Sequence, residues 1–176
     1  MHAREIAGAL ERDVLLITCG FHDQAGEIGN FLLAREALGR NRRGHGHLER
    51  LIGGPAIRAA AKRATGQELS AAEALARGAA GDAKLAPLTE RVQDRLAMAV
   101  VAIAALLDPE AVIFGGGTAL AGDRFFAGLR ERVARELPTG PALIPSGLGE
   151  DAQLHGALFG ALWELDPSLA LREELR

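Results

Sequence analysis

Apolar residues recur along this chain with two periods, and the change from one to the other marks out its elements. Asp13-Val14-Leu15-Leu16-Ile17-Thr18 is a continuous apolar run with β-branched members that stops at Cys19-Gly20. Such a run predicts a strand buried on both faces. Ile28 to Leu33 predicts a second strand, and residues 34–47, rich in glycine, arginine and histidine, predict an irregular loop. From Leu48 onward helical spacing dominates. Pro55 suits the first turn of a helix, where its missing N–H is no loss, and that helix runs to Gly66. Ser70-Ala71-Ala72-Glu73 has the spacing of a capping box and starts another. Leu88, Val92, Leu96, Ala99, Val100, Ile103 and Leu107 recur at intervals of three and four, which predicts one long amphipathic helix from Leu85 to Leu107. Asp108-Pro109 ends it. Ala111-Val112-Ile113-Phe114 predicts a buried strand entering Gly115-Gly116-Gly117. A helix from Arg124 to Leu137, a short strand Ala142-Leu143-Ile144-Pro145 and a last helix from Asp151 to Leu165 complete the order. Strands flanked by packed helices make an α/β fold, and with no repeat or linker, residues 1–176 read as a single domain.

Composition narrows the classes of function without choosing one. The 176 residues are 48% hydrophobic and 24% charged, enough for a sizeable core with no disulfide or metal. A net charge of −3 offers no basic footprint for nucleic acid and no pull toward an acidic membrane. The lone Cys19 excludes an internal disulfide framework and suits a reducing compartment. It reads either as a reactive thiol or as a small core residue. The charged start of the chain is unlike a signal peptide. The longest apolar run, Leu96 to Leu107, is about half of a membrane span. A soluble cytoplasmic protein is expected. No GxSxG, Walker A or HExxH motif is present.

Three stretches carry candidate chemistry: Ala25-Gly26-Glu27-Ile28-Gly29-Asn30; Gly46-His47-Leu48-Glu49 followed by Gly53-Gly54-Pro55-Ala56; and Asp108-Pro109-Glu110-Ala111-Val112-Ile113-Phe114-Gly115-Gly116-Gly117. Taken from the residues alone, Glu27 and Glu49 are either exposed carboxylates or ligands for hydroxyls. A carboxylate accepts two hydrogen bonds, and charged acceptors make the stronger ones. The glycine triplet is either a tight strand-to-helix connection or a place where backbone approaches a flat ligand.

In order, spacing and context these stretches resemble the ROK family of sugar kinases and repressors. There AGEIGH leads to a cysteine-rich zinc loop ending in GCLE, and NPExIVIGGG follows. Leu148-Gly149-Glu150-Asp151-Ala152-Gln153-Leu154-His155-Gly156-Ala157 is similar to the family's closing LGDDAGLxGAA. The resemblance covers residues 12–163. It implies the C-terminal lobe of an actin-like, ribonuclease H-like sugar kinase fold, here with a truncated β-hairpin. It also implies that Glu27, Asn30 and Glu49 lie at a hexose or amino-sugar site and that Gly115, Gly116 and Gly117 lie on the nucleotide side. The intact family uses ATP and magnesium.

The departures bear on activity. Asn30 stands where the family has a histidine, and the zinc cysteines fall on Arg40, Arg42 and His47. Arginine is permanently cationic and cannot ligate zinc, so the family zinc is expected to be lost. His22, His45 and His47 have the right chemistry for a substitute site but also read as a polar loop, and no metal is expected. Only Cys19-Gly20-Phe21-His22-Asp23-Gln24 connects Thr18 to Ala25, where the family has a glycine-rich turn and a hairpin. The N-terminal lobe, with its DxGGT-type phosphate loop and aspartate base, is expected to be absent. Phosphoryl transfer rests on positioning and charge stabilisation. The expected function is therefore a sugar kinase-like lobe without phosphotransfer of its own. The alternative is a non-catalytic sugar-binding or dimerisation module, with a homo-oligomer or the missing lobe as partner. A repressor would need a helix-turn-helix or basic arm, which the sequence lacks.

Overall fold

A computed structural model describes residues 21–22, 24–35 and 46–165. The predicted strand at Asp13–Thr18, together with Cys19, Arg40, Arg42 and His45, lies outside the described residues. Ile28–Glu150 forms one compact unit, and the described residues before and after it, 21–27 and 151–165, belong to a second.

The larger unit begins with a single 3₁₀ turn, Ile28–Asn30, closed by the Phe31 N–H donating to the Ile28 carbonyl at 3.0 Å. The strand predicted for Ile28 to Leu33 is therefore replaced by a turn and irregular chain. Gly29 and Asn30 interrupt the apolar run, and both residue types favour turns over strands.

Four helices follow: α1 Glu49–Ile52, α2 Gly54–Thr65, α3 Ala71–Ala79 and α4 Ala86–Leu107. Pro55 occupies the first turn of α2, and Gly66 ends it in the left-handed conformation. At α3 the capping box forms as read. The Ser70 hydroxyl accepts from the Glu73 N–H at 3.1 Å, and the Glu73 carboxylate accepts from the Ser70 N–H at 2.9 Å. Helix α4 buries Leu88, Val92, Leu96, Ala99 and Val100 as its spacing predicts. Its last turn departs from the pattern, because Leu106 is 76% and Leu107 43% exposed. Asp108 then takes a left-handed conformation, φ 43°, and Pro109 prevents the helix from continuing.

Strand β1, Ala111–Phe114, pairs in parallel with β2, Ala142–Pro145. Parallel pairing requires a crossover, and α5 Gly116–Ala119 with α6 Asp123–Glu136 supplies it. The sequence reading placed only a glycine turn where α5 forms. Register sets Val112 opposite Leu143 and Ile113 opposite Ile144. Alternation then sends Phe114 and Leu143 into the core, while Ile113 is 69% exposed. β1 is thus buried on one face, not on both, because among the described residues helices cover one side of this two-stranded sheet.

The core lies between α3, α4, α6 and that inner face, with Phe125, Phe126, Leu129, Leu75, Leu85 and Val92 fully buried. Phe126 meets Phe114 and Phe125 edge-to-face, at centroid separations of 5.4 and 5.6 Å. Arg130 reaches from α6 across the Phe126 ring and donates to the Leu143 carbonyl at 2.8 Å, tying helix to sheet.

In the second unit, α7, Ala152–Leu165, is the final helix. Among the described residues no helix is long and apolar enough to cross a membrane.

Candidate functional site

The described segments of the motifs around Asn30 and Glu49 are brought together within the larger unit. Leu48 is fully buried and anchors the chain where it enters α1. The helical turn begins one residue after His45, since the Arg50 N–H already donates to the Gly46 carbonyl at 3.1 Å. Glu49 follows Gly46 by three residues, and its Oε2 accepts from the Gly46 N–H at 3.3 Å. The 3₁₀ turn Ile28–Asn30 packs on α1. A methyl group placed on Gly29 would touch Glu49 Cβ at 3.4 Å. Gly46 itself lies directly against the turn, where a Cβ would stand 2.0 Å from the Gly29 carbonyl oxygen and 2.7 Å from the Asn30 nitrogen. Backbone meets backbone here, and glycine alone permits it.

The far end of α1 is also held. Arg95, half-buried on α4, donates from Nη1 to the Leu51 carbonyl at 3.2 Å. Burial, with Arg91 nearby, pulls its guanidinium below the ordinary arginine range. The Gly53 N–H donates to the Glu49 carbonyl at 2.7 Å, so the chain turns sharply into α2. Glu49, Arg50, Gly53, Pro55 and Ala56 line a small pocket of about 220 Å³ at this corner. Glu49 and Asn30 are both exposed. An exposed carboxylate here can accept hydrogen bonds from hydroxyl groups.

Glu27 belongs to the second unit. It is exposed, follows Gly26 (φ 83°), and its N–H donates to the Gln24 carbonyl at 3.3 Å. Phe21 and His22 make an edge-to-face contact at 4.7 Å in the same unit.

The glycine triplet sits at the C-terminal end of β1. Gly115 is extended and caps α5, and Gly116 has φ 62°, a conformation other residues rarely adopt. All three glycines are exposed, and nothing lies within 4 Å of where their Cβ atoms would be. The turn therefore presents bare backbone to its surroundings. Among the described residues no three histidine, cysteine, aspartate or glutamate side chains are gathered as metal ligands.

Sequence reasoning missed the approach of Gly46 to Gly29 and the hold of Arg95 on α1. A signal for the first existed, since Gly46-x-x-Glu49 repeats the spacing of Ser70-x-x-Glu73. Nothing local signals the second, because Arg95 and Leu51 are far apart in the chain.

Comparison with known proteins bears on all of these residues. No curated protein sequence matches the chain. Among solved structures, the chain is similar to a ROK hexokinase from Thermus thermophilus, with 29% identity and a TM-score of 0.67 over 85% of this chain and 52% of that one. It shares its fold with a ROK family protein from Streptococcus pneumoniae TIGR4, solved in complex with sucrose, with 20% identity and a TM-score of 0.69 over 86% of this chain and 53% of that one. The chain thus spans about half the length of each. The family model for ROK matches residues 16–164, which takes in Glu27, Asn30, Glu49 and Gly115–Gly117. On that match the chain belongs to the ROK family.

Proposed function

We propose that this chain is the C-terminal, sugar-contacting lobe of a ROK-type sugar kinase, in which Asn30 and Glu49 hold hydroxyls of a hexose or amino sugar. The observation that carries this reading is the closure of the Gly29–Asn30 turn on Gly46–Glu49, which leaves an exposed carboxylate at the mouth of a small pocket. The pocket is smaller than the roughly 300–1,000 Å³ of drug-sized sites, in keeping with a small ligand. The likeness to a hexokinase and to a family member that holds sucrose supports the same class. Gly115–Gly117 would face the nucleotide through bare backbone.

We further propose that the 176 residues by themselves transfer no phosphate. They span about half of the related hexokinase. Among the described residues the buried polar side chains are Thr89 and Gln93, so no acid is held there in the desolvated setting a catalytic base uses. Zinc is not part of this reading, since Arg40 and Arg42 replace two of its ligands.

The test incubates the purified chain with ATP, magnesium and a panel of hexoses and amino sugars. No sugar phosphate should form, and one or more sugars should raise the melting temperature in a way that Glu49→Ala abolishes. Turnover above a Glu27→Ala control would defeat the non-catalytic reading. Stabilisation that survives Glu49→Ala would defeat the sugar site.

One observation favours an association role as a second reading. A groove of about 520 Å³ between α4 and α6 is floored by Ala97, Met98, Val101, Ala102 and Ala105, with Met98 48% exposed. Sedimentation of the chain with and without Met98→Asp decides whether this face joins copies.

A further inference from the structure

Gly46 lies two residues before Leu48, the N-cap residue of α1, and makes half of the pattern seen at Ser70. At Ser70 and at Gly46 alike, a glutamate three residues on accepts from the backbone N–H, at 2.9 Å and 3.3 Å respectively. The Ser70 hydroxyl completes the box by accepting from the Glu73 N–H, and serine at such a position is normally the more stabilising choice. Gly46 has no side chain with which to do so. Glycine stands here for another reason. What demands it is contact. A Cβ here would stand 2.0 Å from the Gly29 carbonyl oxygen and 2.2 Å from its carbon, both backbone atoms that cannot rotate away. Gly29 in turn lies under Glu49, within 4.0 Å of Oε2 from where its own Cβ would be.

We infer that Gly46 is the positioning residue of the Glu49 carboxylate. Its bare backbone lets the Gly29–Asn30 turn close on α1, and its N–H orients Glu49 Oε2. The Glu49 carboxylate and the Gly29–Asn30 turn, from two separate motifs, thereby share one corner. This rests on the reading of Glu49 as a sugar ligand, although the geometry has a consequence that can be read without any sugar.

The experiment compares the ¹⁵N-labelled full chain with its Glu49→Gln and Gly46→Ala variants. Glu49→Gln should move the Gly46 amide resonance more than those of its sequence neighbours. Gly46→Ala should weaken whichever hexose the wild type binds by roughly tenfold, the loss of about one charge-assisted hydrogen bond. The resonances of α3 and α6 should stay in place. A Gly46 amide indifferent to Glu49→Gln overturns the inference, and so does a Gly46→Ala chain that binds hexose as well as the wild type. If no hexose binds the wild type, the sugar reading fails, and the amide shift alone then upholds or overturns the role of Gly46. Should Gly46→Ala not fold, Gly29→Ala replaces it, because its methyl only reaches ordinary contact with Glu49 at 3.4 Å. That variant should show a smaller loss of affinity, and no loss would overturn the inference.

Discussion

Gln93, buried in α4, donates from Nε2 to the Phe125 carbonyl in the first turn of α6 at 2.8 Å. The two helices come this close because Gly128 faces Gln93. A Cβ on Gly128 would lie 2.5 Å from the same Nε2. A buried amide with a backbone partner fixes the register of α6 on α4, which an apolar contact would leave free to slide. Gln93→Leu should therefore lower stability by about 1–3 kcal/mol, since the Phe125 carbonyl loses its side-chain partner. Gly128→Ala should lower it by about 1–3 kcal/mol through overpacking. The two share a contact, so the double variant Gln93→Ala, Gly128→Ala should be less unstable than the sum of its parts. Denaturant unfolding of the wild type, Gln93→Ala, Gly128→Ala and the double variant checks this, and strict additivity would show that Gly128 and Gln93 do not meet.

Acid should loosen the α3 region first. The Arg77 guanidinium, hydrogen-bonded to Asp82, holds the Asp82 carboxyl below its ordinary value, with the Lys84 N–H assisting. Hydrogen bonding from the Ser70 backbone, then from its side chain, lowers Glu73 in the same direction. A carboxyl depressed in the folded state stabilises it above the unfolded pKa and loses that contribution as pH falls through the folded pKa. The melting temperature should thus fall below roughly pH 4. Asp82→Asn should lower it near neutrality and make a smaller difference once the pH has fallen through the folded pKa. An equal difference at neutral and acid pH would detach Asp82 from the acid transition.

Asp108 takes φ 43° at the C-terminal cap of α4, where the helix dipole disfavours a negative charge. Asparagine tolerates the same conformation without the charge. Asp108→Asn should stabilise by about 0.3–1 kcal/mol, whereas Asp108→Val should destabilise by about 1–2 kcal/mol. Thermal unfolding distinguishes the two. A destabilised Asn variant would assign the Asp108 carboxylate a contact that the helix end needs.

Chelation should leave the protein unchanged. Elemental analysis of the purified chain is expected to find no stoichiometric zinc, and EDTA should not shift the melting temperature. Bound zinc whose removal lowers it would point to His22, His45 and His47 as a substitute site.

Local physics explains which parts of this protein the sequence determined by itself. Pro55, the Ser70–Glu73 capping box, the spacing from Leu88 to Val100 and the β-branched run at Ala111–Phe114 each act within a turn or two of chain. Each produced the element it predicted. The motifs naming the ROK family were also legible, because they depend on residue types at short spacings. Tertiary structure decided the rest. Ile28–Leu33 had strand-like residues, yet it turns at Gly29–Asn30 and packs on α1. Ile113 and Leu107 had core-like chemistry, yet among the described residues the helices cover one face of the sheet and stop short of the last turn of α4. Most of all, the glycine at position 46 carries no local sign of its partner. Its meaning comes from the Gly29 carbonyl that packs on it, a contact between segments seventeen residues apart that appears only once α1 and the 3₁₀ turn are folded together.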